Sequence, residues 1–556
     1  MKKHNAVKVV LITILVFLIL SWILPAAYYS GEYVDQGRVQ MGLFDLFNYP
    51  LTALSYFGYV ACYIILVGGF YGILHKIPAY RSFLDKIVDR FQGKEKLFLS
   101  LVVVIFALLV SICGLQIGLA LFIPFVVSII LLMGYDKIVA ALTVVGSMTV
   151  GLAGSTYAYQ NMSVLTSSLS LDLDFEIGVR FVILLVGIIL VIFNTFMYIK
   201  KSMTDLKIEK KTVKKVEDTA SEEVAEAIKE EAVEVKKAST KSTTSKKSSS
   251  KSSTKKASST SKKSTTSKGK TTTKSSKSRK SDNKAALKDE DIIVVKDTMG
   301  ECNEFVPDSV TSKHKVWPMI SGFFLLFVII VLAFITWGEN GFGVSFFDDI
   351  TKKITEFELF GFPLFGKLLG TVNSFGNWTI IDMVLPMALL IILLMLIYKV
   401  KVDDAFDGFA KGVKKALPSA FVVLLLYTVL VLVTYHPFQL VIYKAVLGLA
   451  KGFNVATTTI VAILASFFNS DPAYTFQSVI PYYTSVVTNA DTYSLTGIIF
   501  QSMYGLTMLF APTSVVLMGV LAYLKVSYTE WLKRIWKLLL ELFVILLIIF
   551  IILALI

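Results

Sequence analysis

Long apolar runs, interrupted at a few short polar stretches, dominate this chain. Residues 6–28, 178–198, 317–337, 380–398, 420–435 and 535–556 are such runs. Each reaches or approaches the ~20 residues that a helix needs to cross bilayer hydrocarbon. Residues 97–133 are also apolar but are interrupted at "CGLQIG" (113–118). One straight helix over that stretch would be ~55 Å long, too long for ~30 Å of hydrocarbon. The pattern predicts a re-entrant hairpin of two half-helices, each about 23 Å, with Gly114 and Gly118 at the tip. Two short, tightly joined spans are the alternative.

Residues 455–490 repeat that layout. An apolar arm, "ATTTIVAILASFF", leads to a polar tip, "NSDPAY", and a second arm runs through Val479 and Val487. Pro472 frees backbone groups that lipid cannot satisfy, so the break needs protein or water around it. Polar tips at membrane depth are candidate functional sites, a plain kinked helix being the alternative. A long helix with its own break follows each hairpin. The first, 145–165, carries Gly151 and Gly154; the second, 498–522, carries Gly505 and Pro512. Matching broken segments in two halves point to the binding site of a secondary transporter.

Lysine and arginine set the orientation, because positive loops stay cytoplasmic. Lys2 and Lys3, the 76–96 loop (Lys76, Arg81, Lys86, Arg90, Lys94, Lys96) and a long polar linker belong on that side; the acidic "LDLDFE" (171–176) belongs outside. Four crossings precede the linker: 6–28, 57–77, a segment near 138–170, and 178–199. Crossings at 316–337, 378–398 and 417–435 follow it, so the first hairpin enters from the cytoplasm and the second from outside. The expected fold is an all-α polytopic membrane protein, an inverted repeat of about nine transmembrane helices and two re-entrant hairpins. Its N-terminal half is 1–200, its linker 201–315 and its C-terminal half 316–556, with the C-terminus outside the plasma membrane. The first run exceeds the 7–15 residues of a signal-peptide core and reads as an uncleaved helix. Residues 78–94 read as an amphipathic helix on the cytoplasmic surface. All six tryptophans (Trp22, Trp317, Trp337, Trp378, Trp531 and Trp536) fall near predicted helix ends, where their rings favour the interface.

Composition agrees with that class: 55% of residues are hydrophobic and 17% charged, against about 25% charged in soluble domains. Residues 236–280 hold sixteen Lys/Arg and no acid, more than the whole net charge of +14, so everything else sums to −2. This Lys/Ser/Thr run cannot bury enough apolar area to offset its chain entropy and is expected to be a disordered tether. Contact with anionic lipid or nucleic acid is the sharper reading. No aromatic residue interleaves the run, which argues against sequence-specific nucleic-acid recognition. Cys62, Cys113 and Cys302 suggest no disulfide framework, and His4, His75, His314 and His436 have no metal-ligand spacing. With no P-loop either, metalloenzyme and ATP-driven pump readings lose their usual residues.

The segments "LVGGFYGILHKIPAYRSFLDKI", "GYDKIVAALTVVGSMTVGLAG" and "FQSMYGLTMLFAPTSVVLMGVLAYLKVSYTEWLKR" resemble the YfcC/DcuC group of carriers in the ion-transporter superfamily. The resemblance covers most of both halves and treats the basic linker as an insertion without a counterpart. It implies a carrier of C4-dicarboxylates or amino acids, usually ion-coupled. Where the family has paired glutamates after the first tip, this chain reads "GLALFIPF" (118–125). Its Asn-Pro-Phe turn is "QNMSV", keeping Asn161, and the acid of its Gly-Asp-Gly stretch is Tyr504.

The expected function is secondary transport of a small carboxylate or amino acid by alternating access, coupled to Na⁺ or H⁺, with no cofactor and no enzymatic activity. Half-helix N-termini suit a carboxylate, and unwound carbonyls with hydroxyls suit Na⁺. Substrate-binding candidates are Gln116, Ser155, Thr156, Asn161, Asn469, Ser470, Thr513 and Ser514; ion-binding candidates are Asp471, Thr507 and Gly505. Ordinary helix–helix hydrogen bonding is the alternative for each. Expected partners are the substrate, membrane lipid, anionic lipid along the linker, and a second copy in a homodimer. The rival reading is a membrane-anchored scaffold whose linker gathers lipid or nucleic acid.

Overall fold

The computed structural model describes residues 5–200, 303–308 and 314–556. The basic run at 236–280 and Cys302 lie outside the described residues, so the disorder and contacts expected of them stay expectations. Among the described residues the fold is all-α apart from one small ribbon.

In the N-terminal half, α1 is Asn5–Ile23, α2 Asp45–Leu74, α3 Pro78–Arg90, α4 Glu95–Cys113, α5 Ile123–Leu132, α6 Lys137–Ala153 and α7 Tyr159–Leu169. Helix α8, Ile177–Lys200, closes that half. The C-terminal half continues with α9 Trp317–Phe334, α10 Phe346–Thr355, α11 Leu364–Leu369, α12 Val384–Tyr398, α13 Val402–Tyr435 and α14 Gln439–Leu447. It ends with α15 Val455–Phe468, α16 Pro472–Val486, α17 Tyr493–Met508, α18 Val515–Leu524 and α19 Tyr528–Leu555.

Among the described residues seven helices are long and apolar enough to cross a membrane: α1, α2, α4, α8, α9, α13 and α19. This differs in detail from the nine spans expected. The crossings at 138–170 and 498–522 are each split into two helices, and α12 has only fifteen residues, about 22 Å. Helix α4, expected to be a half-helix, has nineteen residues, about 28 Å, and so joins the long set.

Local chemistry places both expected breaks. Helix α4 stops at Gly114, whose φ of +68° is left-handed, and Gly114 and Leu115 N–H groups turn back to Val110 and Leu109 carbonyls. Glycine reaches that conformation without a Cβ penalty. Helix α15 stops at Asn469, which is extended. The Asn469 side chain accepts the Asp471 N–H, Asp471 caps α16 by accepting from Tyr474 N–H, and Pro472 opens that helix.

Helices α2 and α13 make the most extensive helix–helix contact among the described residues. Glycine allows it. A Cβ on Gly72 would lie 2.1 Å from the Gly408 carbonyl oxygen, and one on Gly412 would lie 2.0 Å from that of Gly68. Small residues of this kind let two membrane helices meet backbone to backbone.

Three features were not anticipated. Strands β1 (Ala26–Tyr29) and β2 (Tyr33–Gly37) form an antiparallel ribbon where the first run was expected to continue as helix to residue 28. The ribbon is tied down by the Ala27 N–H, which donates to the Pro437 carbonyl at 3.1 Å. Helix α14 follows α13 directly. Residues 303–308, within the stretch assigned to the linker, pack on the helical body. There Phe305 is buried, its ring meets Tyr523 edge-on at 5.4 Å, and its carbonyl accepts from Ser128 Oγ at 2.7 Å. Glu304 pairs with Lys525, and Arg81 donates to the Pro307 carbonyl.

Candidate functional site

The first break is stitched to the broken segment that follows it. The Thr156 N–H donates to the Ser111 carbonyl at 2.8 Å, and its hydroxyl reaches the same oxygen at 3.2 Å. Ser111 Oγ donates to the Gly154 carbonyl at 2.7 Å. Past Gly114, Gln116 Nε2 donates to Asn161 Oδ1 at 2.9 Å, linking the break to the first turn of α7.

The second half repeats this construction. Thr513, between α17 and α18, donates its hydroxyl to the Phe467 carbonyl near the end of α15 at 2.7 Å. Ser514 caps α18 by accepting the Leu517 N–H. In each half, then, a threonine in the broken segment satisfies a carbonyl at the end of the arm before it. The Tyr504 hydroxyl donates to the Ser470 carbonyl at 2.6 Å, and the Gln116 side chain lies beside that hydroxyl.

The two broken segments also meet each other. Gln501 Nε2 donates to the Ser155 carbonyl at 2.7 Å, and Ser502 Oγ to the Ala153 carbonyl at 3.3 Å. A Cβ on Gly505 would lie 2.2 Å from Ala153 N, so Gly505 lets α17 lie directly on α6. Around this junction four buried polar atoms have no hydrogen-bond partner: Ser155 Oγ, Asn161 Nδ2, Gln501 Oε1 and Thr507 Oγ1. Leaving such an atom unpaired costs about 1–3 kcal/mol. The set offers donors for a carboxylate and neutral oxygens for a small cation.

The sequence-derived candidates sort by these contacts. Gln116, Asn161, Ser155 and Thr507 lie at the junction, three of them with an unmet atom. Thr156, Thr513 and Ser514 have their hydroxyls engaged in holding the breaks, and Gly505 serves close packing. Asn469, Ser470 and Asp471 form the second break, with the Asp471 carboxylate used as a helix cap and Tyr59, Tyr427 and Tyr504 around it. Among the described residues no group of three His, Cys, Asp or Glu is placed to hold a metal ion.

Sequence reasoning passed over Gln501 and Arg180. Arg180, in the first turn of α8, is 1% exposed; Nη2 donates to the Thr156 and Leu173 carbonyls at 2.8 and 2.7 Å, and its guanidinium lies 4.4 Å from the Phe175 ring centre. The guanidinium thus holds the first broken segment from behind. A lone Arg heading the run "RFVILLVGIIL" and a lone Gln inside "GIIFQSMYG" were the available signals, since polar groups at membrane depth are seldom idle.

Two cavities touch the two breaks from different levels of α13. One, of about 70 Å³, is lined by Gln116 and by Ala416, Ser419 and Val423 of α13, with Tyr523 beside the docked Phe305. The other, of about 340 Å³, is lined by Asn469 and by Val433 and Thr434. Ten residues separate the two linings along the helix, about 15 Å.

Comparison with known proteins matches residues 55–248 and 300–555 to the family described as C4-dicarboxylate anaerobic carrier (DcuC). Within the stretch assigned to the linker, 201–248 and 300–315 therefore do have a family counterpart; the unmatched part is 249–299. An uncharacterized protein of Haemophilus influenzae is 26% identical over 146 residues, 26% of this chain and 29% of that protein. No solved structure matches.

Proposed function

Because this chain belongs to the C4-dicarboxylate anaerobic carrier family, we propose that it is a secondary transporter moving a small carboxylate or amino acid across the cell membrane by alternating access. The membership itself makes the chain a multi-pass membrane carrier; substrate, coupling and mechanism are the proposal. The observation that carries it is the meeting of the two breaks, where the Gln116 side chain lies beside the Tyr504 hydroxyl that donates to Ser470, between cavities at two levels of one helix. Interrupted helices converging near mid-membrane are the usual construction of a transporter binding site.

In this reading residues 113–118 and 469–474 are the tips of oppositely oriented re-entrant hairpins, with the N-terminus and linker in the cytoplasm and the C-terminus outside. Ser155, Asn161, Gln501 and Thr507 supply the unmet polar atoms that face the substrate or its coupling ion. Na⁺ is favoured by neutral oxygens and Asp471; H⁺ coupling rests on Asp471 alone, the one acid at either tip.

Flux into proteoliposomes tests the proposal. Labelled succinate, aspartate and neutral amino acids are offered with and without a Na⁺ or H⁺ gradient. Uptake of at least one, abolished by mutation of Asn161 and Gln501 together, is expected; no flux of any solute under any gradient overturns it and favours the scaffold.

A further inference from the structure

The 340 Å³ cavity has the size of a small-molecule site, ~300–1,000 Å³. None of its lining residues is Asp, Glu, Lys or Arg. Two of them nevertheless carry a buried polar atom with no hydrogen-bond partner, Gln439 Oε1 and the Tyr443 hydroxyl. Gln439 is 7% exposed and Tyr443 0%. Nε2 of Gln439 is already given to the Val433 carbonyl at 3.2 Å, so the amide oxygen is what remains, an acceptor in want of a donor. The Tyr443 hydroxyl lies beside Ser478, whose own hydroxyl donates to the Thr475 carbonyl at 2.8 Å. Among the described residues the Tyr443 hydroxyl has no hydrogen-bond partner, Ser478 included, so its proton is uncommitted.

The rest of the wall is aromatic. Tyr28, Tyr29 and Tyr482 line it, the last two in edge contact at 5.9 Å. Ring faces attract ammonium groups, and the same cluster already holds one: Lys444 Nζ sits 3.6 Å from the Tyr33 ring centre, and Tyr33 packs on Tyr482. A dianion entering this cavity would lose its hydration and meet no cation in the lining. A molecule with one ammonium and one carboxylate meets each unmet demand: its N–H groups for Gln439 Oε1 and the rings, its carboxylate for Tyr443.

We propose that this cavity is a binding site for a small zwitterion, an α-amino acid with no net charge. This rests on the transport reading of the second break, because Asn469 belongs to both. The test is calorimetric titration of the purified full-length protein with each of the common amino acids, and with succinate and fumarate, which carry no N–H. At least one neutral amino acid binds, and Gln439→Leu and Tyr443→Phe each weaken that affinity tenfold or more. Where Gln439→Leu lowers expression or melting temperature, Tyr443→Phe, which removes a single oxygen, decides. The proposal is overturned if no neutral amino acid binds, or if binding is unchanged in Tyr443→Phe. Flux assays on the same variants separate the two readings. Binding that depends on Gln439 and Tyr443 without flux of any solute keeps this site and removes the transport reading. Flux insensitive to both substitutions keeps transport and removes the site.

Discussion

The Tyr504 hydroxyl donates to the Ser470 carbonyl at 2.6 Å, joining the second broken helix to the tip of the hairpin before it. Tyr504 is 2% exposed and stands where the resemblance placed an acid. Tyr504→Phe removes that donor and leaves a carbonyl unpaired beside Asp471, a loss of about 1–3 kcal/mol. A lower melting temperature for the purified variant is expected; an unchanged one would show that the carbonyl finds another donor.

Gln116 and Asn161 form a similar tie in the first half, at 2.9 Å. Alanine at each position and at both should show a coupling of about 0.5–3 kcal/mol in half-saturating substrate concentration. Strict additivity would mean that the bond does not shape the binding state.

At the crossing of α2 and α13 the clearance is set by backbone. Gly72→Leu or Gly412→Leu forces the helices apart, and overpacking of this kind costs about 1–3 kcal/mol or more. Folded yield and melting temperature should drop together, more than for leucine at Gly93, where nothing lies within 4 Å of a Cβ although φ is +78°.

Asp471→Asn keeps a side-chain oxygen to cap α16 while removing the charge. If Asp471 serves the coupling ion, the Na⁺ or H⁺ concentration for half-maximal uptake rises while the fold persists. Full activity with the same ion dependence would leave Asp471 as a helix cap.

Removing residues 236–280 should leave expression and uptake close to the parent, because a chain of this composition has no apolar surface to contribute. Phe305→Ala should do the opposite and lower the melting temperature by removing a buried ring from against Tyr523 and Ser128. Loss of membrane expression on the deletion would assign the basic run a structural role.

The places where helices stop were legible because the stop signals are local. Gly114, and the run Asn469–Ser470–Asp471–Pro472, carry their conformations in their own chemistry. The apolar runs likewise announce their helices, though not their bounds: α13 begins at Val402, well before the apolar run, because its first turns pair with α2. The ribbon at 26–37 was hidden, since "AAYY" reads as the end of a span until Pro437 is known to lie alongside. The roles of Gln501 and Arg180 were hidden for the same reason. Each is one polar residue in an apolar setting, and its meaning depends on a partner 346 residues away for Gln501 and 24 residues away for Arg180.

The glycine crossing also decides which parts of the machine are fixed. Helix α13 is locked to α2 by backbone contact, and it lines both cavities. A wall common to both chambers cannot retreat from one without disturbing the other. In the alternating access proposed above, the α2–α13 pair serves as the stator. The proposed rotor is the set of elements that carry the breaks, α4–α7 and α15–α18.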